Sequence, residues 1–235
     1  MTLQKRIEAI DWERLLAEVD SKGFARTGQL LNREELSQLV GCYDDDRMFR
    51  SQVTMARHGF GAGEYRYFAY PLPPLVQELR WRLYERLAPL ANRWIEELGL
   101  GEPVPLSFED YIFRCHAAGQ SRPTPLILRY GPGDFNRLHQ DLYGPLHFPL
   151  QAAFLLNEPG VDFTGGELVL TEQRPRTQSR VEVVPLERGE AVIFAVNHRP
   201  VTGRRGSYRV AMRHGVSPLR EGRRHALGII FHDAA

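Results

Sequence analysis

Apolar residues recur at near-helical spacing through the start of the chain, at Leu3, Ile7, Ile10, Leu15, Leu16 and Val19, which predicts a helix over residues 3–20. Gly23-Phe24 ends that pattern. Asn32 with Glu35 three residues on has the form of an N-capping box, opening a second helix that runs to about residue 43. Residues 57–68 are rich in glycine and aromatic side chains and read as a loop or hairpin. Pro73-Pro74 then introduce a long helix over 75–98, with Leu79, Leu83, Leu87, Leu90, Trp94 and Leu98 as its stripe and a bend expected at Pro89. Another helical turn is expected over 108–118.

After Pro125 the texture changes to short apolar runs separated by turn signals. Strands are predicted at 126–130, 150–156, 167–170, 181–185, 191–196, 208–213 and 226–231, with Gly131-Pro-Gly-Asp, Asn157-Glu-Pro-Gly, Thr164-Gly-Gly and Arg188-Gly-Glu as the punctuation. Strands at this spacing indicate a β-sandwich or barrel. The expected organisation is a single α+β domain over 1–235. Its mostly helical region, 1–125, supports a β-rich core, 126–235.

Composition adds only bounds. At 43% hydrophobic and 25% charged residues, the chain can bury a core. No apolar run approaches the ~20 residues of a membrane span. The first twenty residues carry charges throughout and lack the apolar stretch of a secretion signal. Cys42 and Cys115 are the two cysteines, expected as reduced thiols in a cytoplasm. Net charge is +1, but residues 199–224 hold eight Arg against the single acid Glu221, a local charge of +7. Arg clusters of this kind neutralise phosphates, which opens a nucleic-acid partner as one reading. Tyr65-Arg-Tyr-Phe offers aromatic rings for stacking on bases.

Most of the eight histidines need only structural roles, His58, His116, His198 and His225 among them. His139-Gln140-Asp141 differs, because residues i and i+2 of an extended segment project to one face and can chelate one ion together. With a distant second His, such a pair makes a facial triad that leaves three positions of an octahedral metal open. An HxD alone is weak evidence. Its surroundings strengthen it: Tyr130-Gly-Pro-Gly before it, then Leu156-Asn, Gly165-Gly-Glu-Leu, Pro185 through Gly189 to Phe194, His214-Gly-Val and Gly222-Arg-Arg.

Over residues 126–231 this order resembles the Fe(II)/2-oxoglutarate-dependent dioxygenases, in their prolyl-hydroxylase-like branch, and is similar to a bacterial subgroup linked to nucleic-acid modification. The resemblance implies a double-stranded β-helix (jelly roll) and an iron(II) ion held by His139, Asp141 and His214. It implies 2-oxoglutarate anchored by Arg224, ten positions after the distal His, and hydrogen-bonded by Tyr130. O₂ and 2-oxoglutarate would then be consumed in hydroxylating a C–H bond. Twenty residues separate Phe194 from His214, about ten more than the family pattern, so His198 is a rival ligand. Residues 197–209 are expected as an inserted loop or hairpin beside the metal, with Arg204 and Arg205 as substrate-binding residues. The segment before Gly165 is a second candidate substrate loop. Three substrate classes stay open: a nucleic-acid base or N-alkyl group, a protein side chain, or a small molecule. So does a non-catalytic metal-binding jelly roll, for which the carboxylate anchor Arg224 would have no use.

Overall fold

The computed structural model describes residues 1–204 and 206–235. Helices α1 (Leu3–Glu8) and α2 (Trp12–Lys22) divide the first expected helix. The break falls where Asp11 caps α2, its carboxylate accepting the Arg14 amide at 3.0 Å. Helix α3 (Arg33–Gly41) opens on the predicted box, with both reciprocal bonds between Asn32 and Glu35 formed. Helix α4 (Pro74–Leu98) has Pro at its first turn, runs through Pro89 without interruption and ends on Gly99 at φ 60°. Helix α5 (Phe108–Ala117) is capped by Ser107.

Among these helices lie β1 (Phe24–Gln29), β2 (Phe49–Thr54), β3 (Gly61–Ala62) and β4 (Glu64–Phe68). After them come β5 (Leu126–Tyr130), β6 (Phe135–His139), β7 (Leu150–Leu155) and β8 (Phe163–Gly165). Next are β9 (Leu168–Gln173), β10 (Arg180–Val184), β11 (Glu190–Ala195) and β12 (His198–Gly203). The last three are β13 (Gly206–Val216), β14 (Leu219–Gly222) and β15 (Arg224–Ile230).

The strands form one seven-stranded sheet in the order β1-β11-β7-β15-β5-β4-β2. A second sheet runs β10-β9-β13-β6-β3, with β12 paired to β13, and β8-β14 is a separate ribbon. Neighbouring strands are antiparallel in all three. Residues 1–125 therefore do more than the helical support expected of them, because β1 forms one edge of the larger sheet and β4-β2 the other. Little in the local pattern announces β1, since Phe24–Gln29, reading FARTGQ, has no alternation of apolar and polar residues.

Strand alternation separates two cores. Leu227, Ile229, Leu150, Ala152, Phe154 and Ile193 face the helices and join Leu79, Leu83, Leu87 and Trp94 of α4. On the opposite face, Tyr130, Leu155, Val192 and Phe194 meet Leu168 and Leu170 of β9 and Val184 of β10. The larger sheet is covered on both faces, which explains the near-continuous apolar runs of β7, β11 and β15. Small residues at cavity-facing positions, Ala153, Ala226 and Gly228 among them, help leave a cavity of about 450 Å³ between the two sheets.

Candidate metal centre

His139 ends β6, and His214 lies directly opposite it on β13. Asp141 follows two residues after His139, so one local relation and one ladder register bring three side chains together. One donor atom from each lies within 4.8 Å of the others. His139 Nε2 is 3.5 Å from Asp141 Oδ1, and His214 Nε2 is 3.2 Å from Asp141 Oδ2. The imidazoles stand 4.1 Å apart between centroids. His139 Nδ1 donates to the Arg137 carbonyl at 2.7 Å, which turns Nε2 toward the carboxylate. His198 heads β12 and takes no part in the cluster, so of the two distal histidines only His214 is brought to His139 and Asp141.

Gly215 is what allows β13 to approach so closely. A Cβ there would lie 2.7 Å from the Asn136 carbonyl oxygen and 3.2 Å from the Arg137 carbonyl carbon, and the register shifts between His214 and Val216 at this point.

The electrostatics suit a cation. Burial works against ionising Asp141, but hydrogen bonds from His139 and His214 outweigh it and hold the carboxyl well below its usual range. Burial and the neighbouring His139 lower His214, favouring the neutral imidazole that a metal needs. For His139 burial also acts downward, yet the bond to Asp141 prevails and raises it.

Two further residues grip the carboxylate and were missed in the sequence. Tyr143 donates to Asp141 Oδ1 at 2.7 Å, and Gln151 Nε2 donates to Oδ2 at 2.9 Å. Gln151 did leave a signal, as the single polar side chain in the strand LQAAFL.

Arg224 enters the same cavity from β15, with Tyr130 opposite it in register. Its guanidinium lies 5.5 Å from the Tyr130 ring centroid and 5.9 Å from that of Phe163. Arg224 is buried, and its Nε and Nη1 have no hydrogen-bond partner; nor has the Tyr130 hydroxyl. Burial lowers its pKa. Buried donors are normally satisfied, so this pair amounts to an anion cradle awaiting acceptors. Gly166 makes room for it, since a Cβ there would come within 3.1 Å of Arg224 Cδ. The segment before Gly165 forms β8 and pairs with β14, bordering a smaller cavity of about 350 Å³ on the other side of Arg224.

Only the base of the Arg-rich insertion lies near this cluster, where Gln140, between His139 and Asp141, donates to the Asn197 carbonyl at 3.1 Å. The rest forms the β12-β13 hairpin, whose tip is eight residues from His214, about 26 Å along the strand. Arg199 is buried against Glu172, and Ser207 at the tip donates to Glu97 of α4 at 3.0 Å. Arg204 is exposed there and does not line the cavity, and Arg205 lies outside the described residues. Of the aromatic run after Tyr65, only Tyr65 lines the cavity; Tyr67 and Phe68 are buried. The high local charge was a property of the sequence window, for the fold sends Arg199 into a buried ion pair, Arg224 into the cavity and Arg204 to the exposed hairpin.

Two imidazoles, a carboxylate and an unpartnered buried Arg in one cavity between antiparallel sheets fit a mononuclear metal enzyme with an anionic cosubstrate. Residues 63–234 match the family Oxygenase-NA, described as an oxygenase catalysing oxidative methylation of damaged DNA, and the chain belongs to that family. Two proteins of Mycobacterium tuberculosis, MT2286 of strain CDC 1551 and Rv2227 of strain H37Rv, are each 48% identical over 168 residues, covering 72% of this chain and 72% of theirs; both carry the description uncharacterised. Among solved structures, a prolyl-4-hydroxylase of Pseudomonas putida is similar at TM-score 0.56 and 15% identity, over 95% of this chain and all of that one. A 2OG-Fe(II) oxygenase family oxidoreductase of Burkholderia pseudomallei gives the same score and identity, over 95% and 92% of the two chains. The chain is thus an oxygenase by family and has the fold of the 2-oxoglutarate–Fe(II) oxygenases.

Proposed function

We propose that the chain hydroxylates a C–H bond of a nucleic-acid base or N-alkyl group, using Fe(II), 2-oxoglutarate and O₂, on a double-stranded β-helix formed by its two larger sheets. The observation that carries this reading is Arg224. A site that only bound a metal would have no use for a buried guanidinium with two unpartnered nitrogens in the same cavity as three clustered ligands. His139, Asp141 and His214 hold the ion, while Tyr143 and Gln151 fix the carboxylate between the two imidazoles. Arg224 pairs with the distal carboxylate of 2-oxoglutarate, and the Tyr130 hydroxyl supplies a further hydrogen bond to it. When bound, iron and cosubstrate supply the oxidising power, with succinate and CO₂ as by-products. Leu168, Phe194 and Val216, among the apolar residues lining the cavity, limit water around the reacting bond.

The nucleic-acid substrate rests on the family description, which names DNA. Free Cys42 and Cys115 support a reducing compartment such as the cytoplasm, and among the described residues no helix is long and apolar enough to cross a membrane.

The test is succinate release from 2-oxoglutarate with Fe(II) and O₂, alone and with methylated oligonucleotides or with peptides. Release stimulated by the oligonucleotide is expected. Arg224→Ala should weaken cosubstrate binding by about ten-fold or more, the worth of a charge-assisted bidentate pair. No succinate under any condition, with cosubstrate affinity unaltered in that variant, would sink the oxygenase reading; stimulation by peptides alone would move the substrate to protein.

A further inference from the structure

We infer that the turn Arg57–Phe60, together with Arg137, is a stacking and phosphate-binding platform that seats a single strand of nucleic acid at the mouth of the metal cavity. The inference rests on the nucleic-acid reading above and says where the strand lies.

The turn is built for display. Residues Met55–His58 form a 3₁₀ turn closed by Gly59, whose φ of 72° is a left-handed conformation that glycine adopts without strain. That reversal lays the rings of His58 and Phe60 against each other, 5.3 Å apart and 22° from parallel. Phe60 nevertheless stays 48% exposed, so the outward side of the stacked pair is open. Phe113 and Trp81 are exposed elsewhere on the surface, so what singles out Phe60 is that its exposed ring also lines the cavity of the three ligands.

The same turn is pinned to the metal-bearing strand. Gly61 and Ala62 pair with Asn136 and Phe135 of β6, and the Phe60 carbonyl accepts the Arg137 amide at 2.8 Å. At Gly61 the strands touch so closely that a Cβ would lie 2.2 Å from the Phe135 carbonyl oxygen. Arg137 is two residues before His139, which places the platform about 7 Å along the strand from a proposed iron ligand. Phe60 and Arg137 both line the cavity that holds the three ligands.

Charge completes the case for this occupant. Arg57 and Arg137 are exposed, and neither guanidinium has an acidic partner among the described residues. Asp141 is the single acid lining the cavity, and it faces the histidines. A flat apolar ring, with one free guanidinium on its own turn and another on the strand paired to that turn, matches a base flanked by phosphates, since stacking accepts any base and Arg tracks the backbone. An acidic peptide could satisfy the two arginines but would leave the exposed ring without a stacking partner. One base entering a cavity of about 450 Å³ while its neighbour stacks on Phe60 requires an unpaired strand.

The experiment is fluorescence anisotropy with the full chain, Mn(II) and 2-oxoglutarate, using a labelled single-stranded DNA of about twelve nucleotides, its duplex, and an acidic peptide. The single strand is expected to bind tightest. Phe60→Leu, which keeps an apolar side chain but no ring, should weaken it by about ten-fold, and Phe60→Trp should restore it. Arg57→Gln should lower the slope of log affinity against log salt by about 1. Thermal melting of each variant guards against misfolding. If the wild type binds the single strand and all three variants match it, the platform is wrong while the nucleic-acid reading stands. Absence of binding to either DNA at low salt removes the reading itself. Peptide binding that is tighter than DNA binding and lost in Phe60→Leu assigns the surface to protein and overturns the proposal.

Discussion

Asp141 accepts hydrogen bonds on both oxygens, from Tyr143 on one and Gln151 on the other. Neither neighbour is placed on the metal, so each acts by aiming the carboxylate. Partners of this kind typically contribute 10- to 100-fold in metal affinity. Tyr143→Phe is therefore expected to weaken Co(II) binding, read by titration of its visible bands, by about ten-fold or more with little change in thermal stability. Asp141→Ala should abolish the same signal. A Tyr143→Phe protein that binds Co(II) as tightly as the wild type would show that the bond at 2.7 Å does not orient the ligand.

The elements decide how close the ligands can come. Strand β13 carries His214 against His139 only because Gly215 lets its backbone slide under β6. Gly215→Ala should push the strands apart, costing about 1–3 kcal/mol of stability through overpacking and more of metal affinity, because the two histidines separate. Comparing denaturation midpoints with Co(II) titration tests both, and an unchanged metal affinity would contradict the stated role of the glycine. The β12-β13 hairpin leads to the opposite expectation. Its tip leans on α4 and lies about 26 Å from His214, so Arg204→Gln should leave metal and 2-oxoglutarate affinity within two-fold of wild type. A larger loss would mean that the hairpin folds over the cavity.

For the molecule as a whole, one buried ion pair ties the helical layer to the end of the larger sheet. Arg80 of α4 and Asp233 beyond β15 are both fully buried, 2.7 Å apart, and Tyr70 and His116 also bind the carboxylate. Burial would raise the Asp233 pKa, but the Arg80 charge and these hydrogen bonds outweigh it, leaving the group lowered in the folded state. Its stabilising contribution is present above the unfolded value of about 4 and is lost as pH falls through the folded one, so acid unfolding should begin below pH 4. Asp233→Asn strands a buried guanidinium and should cost about 3–5 kcal/mol, seen as a large drop in melting temperature at neutral pH. A melting temperature within two degrees of wild type would contradict this. The same layering explains what could be read in advance. The sequence alone determined the strand texture after Pro125, the capping box at Asn32 and the i, i+2 relation of His139 to Asp141, because each depends on neighbours a few residues apart. His214 and Arg224 were legible through their spacing from motifs that a family shares. The edge strands β1 and β2 were not, since a strand with one half-exposed face carries no clean alternation, and β4, between β5 and β2, was legible only as part of a loop or hairpin over 57–68. Nor were the grip of Gln151 and Tyr143 on Asp141, the burial of Arg199 against Glu172, or the seating of Phe60 beside β6. The first two depend on which way the loop after β6 leaves the strand, and the others join residues 27 and 77 positions apart, so only the register of the assembled sheets fixes them.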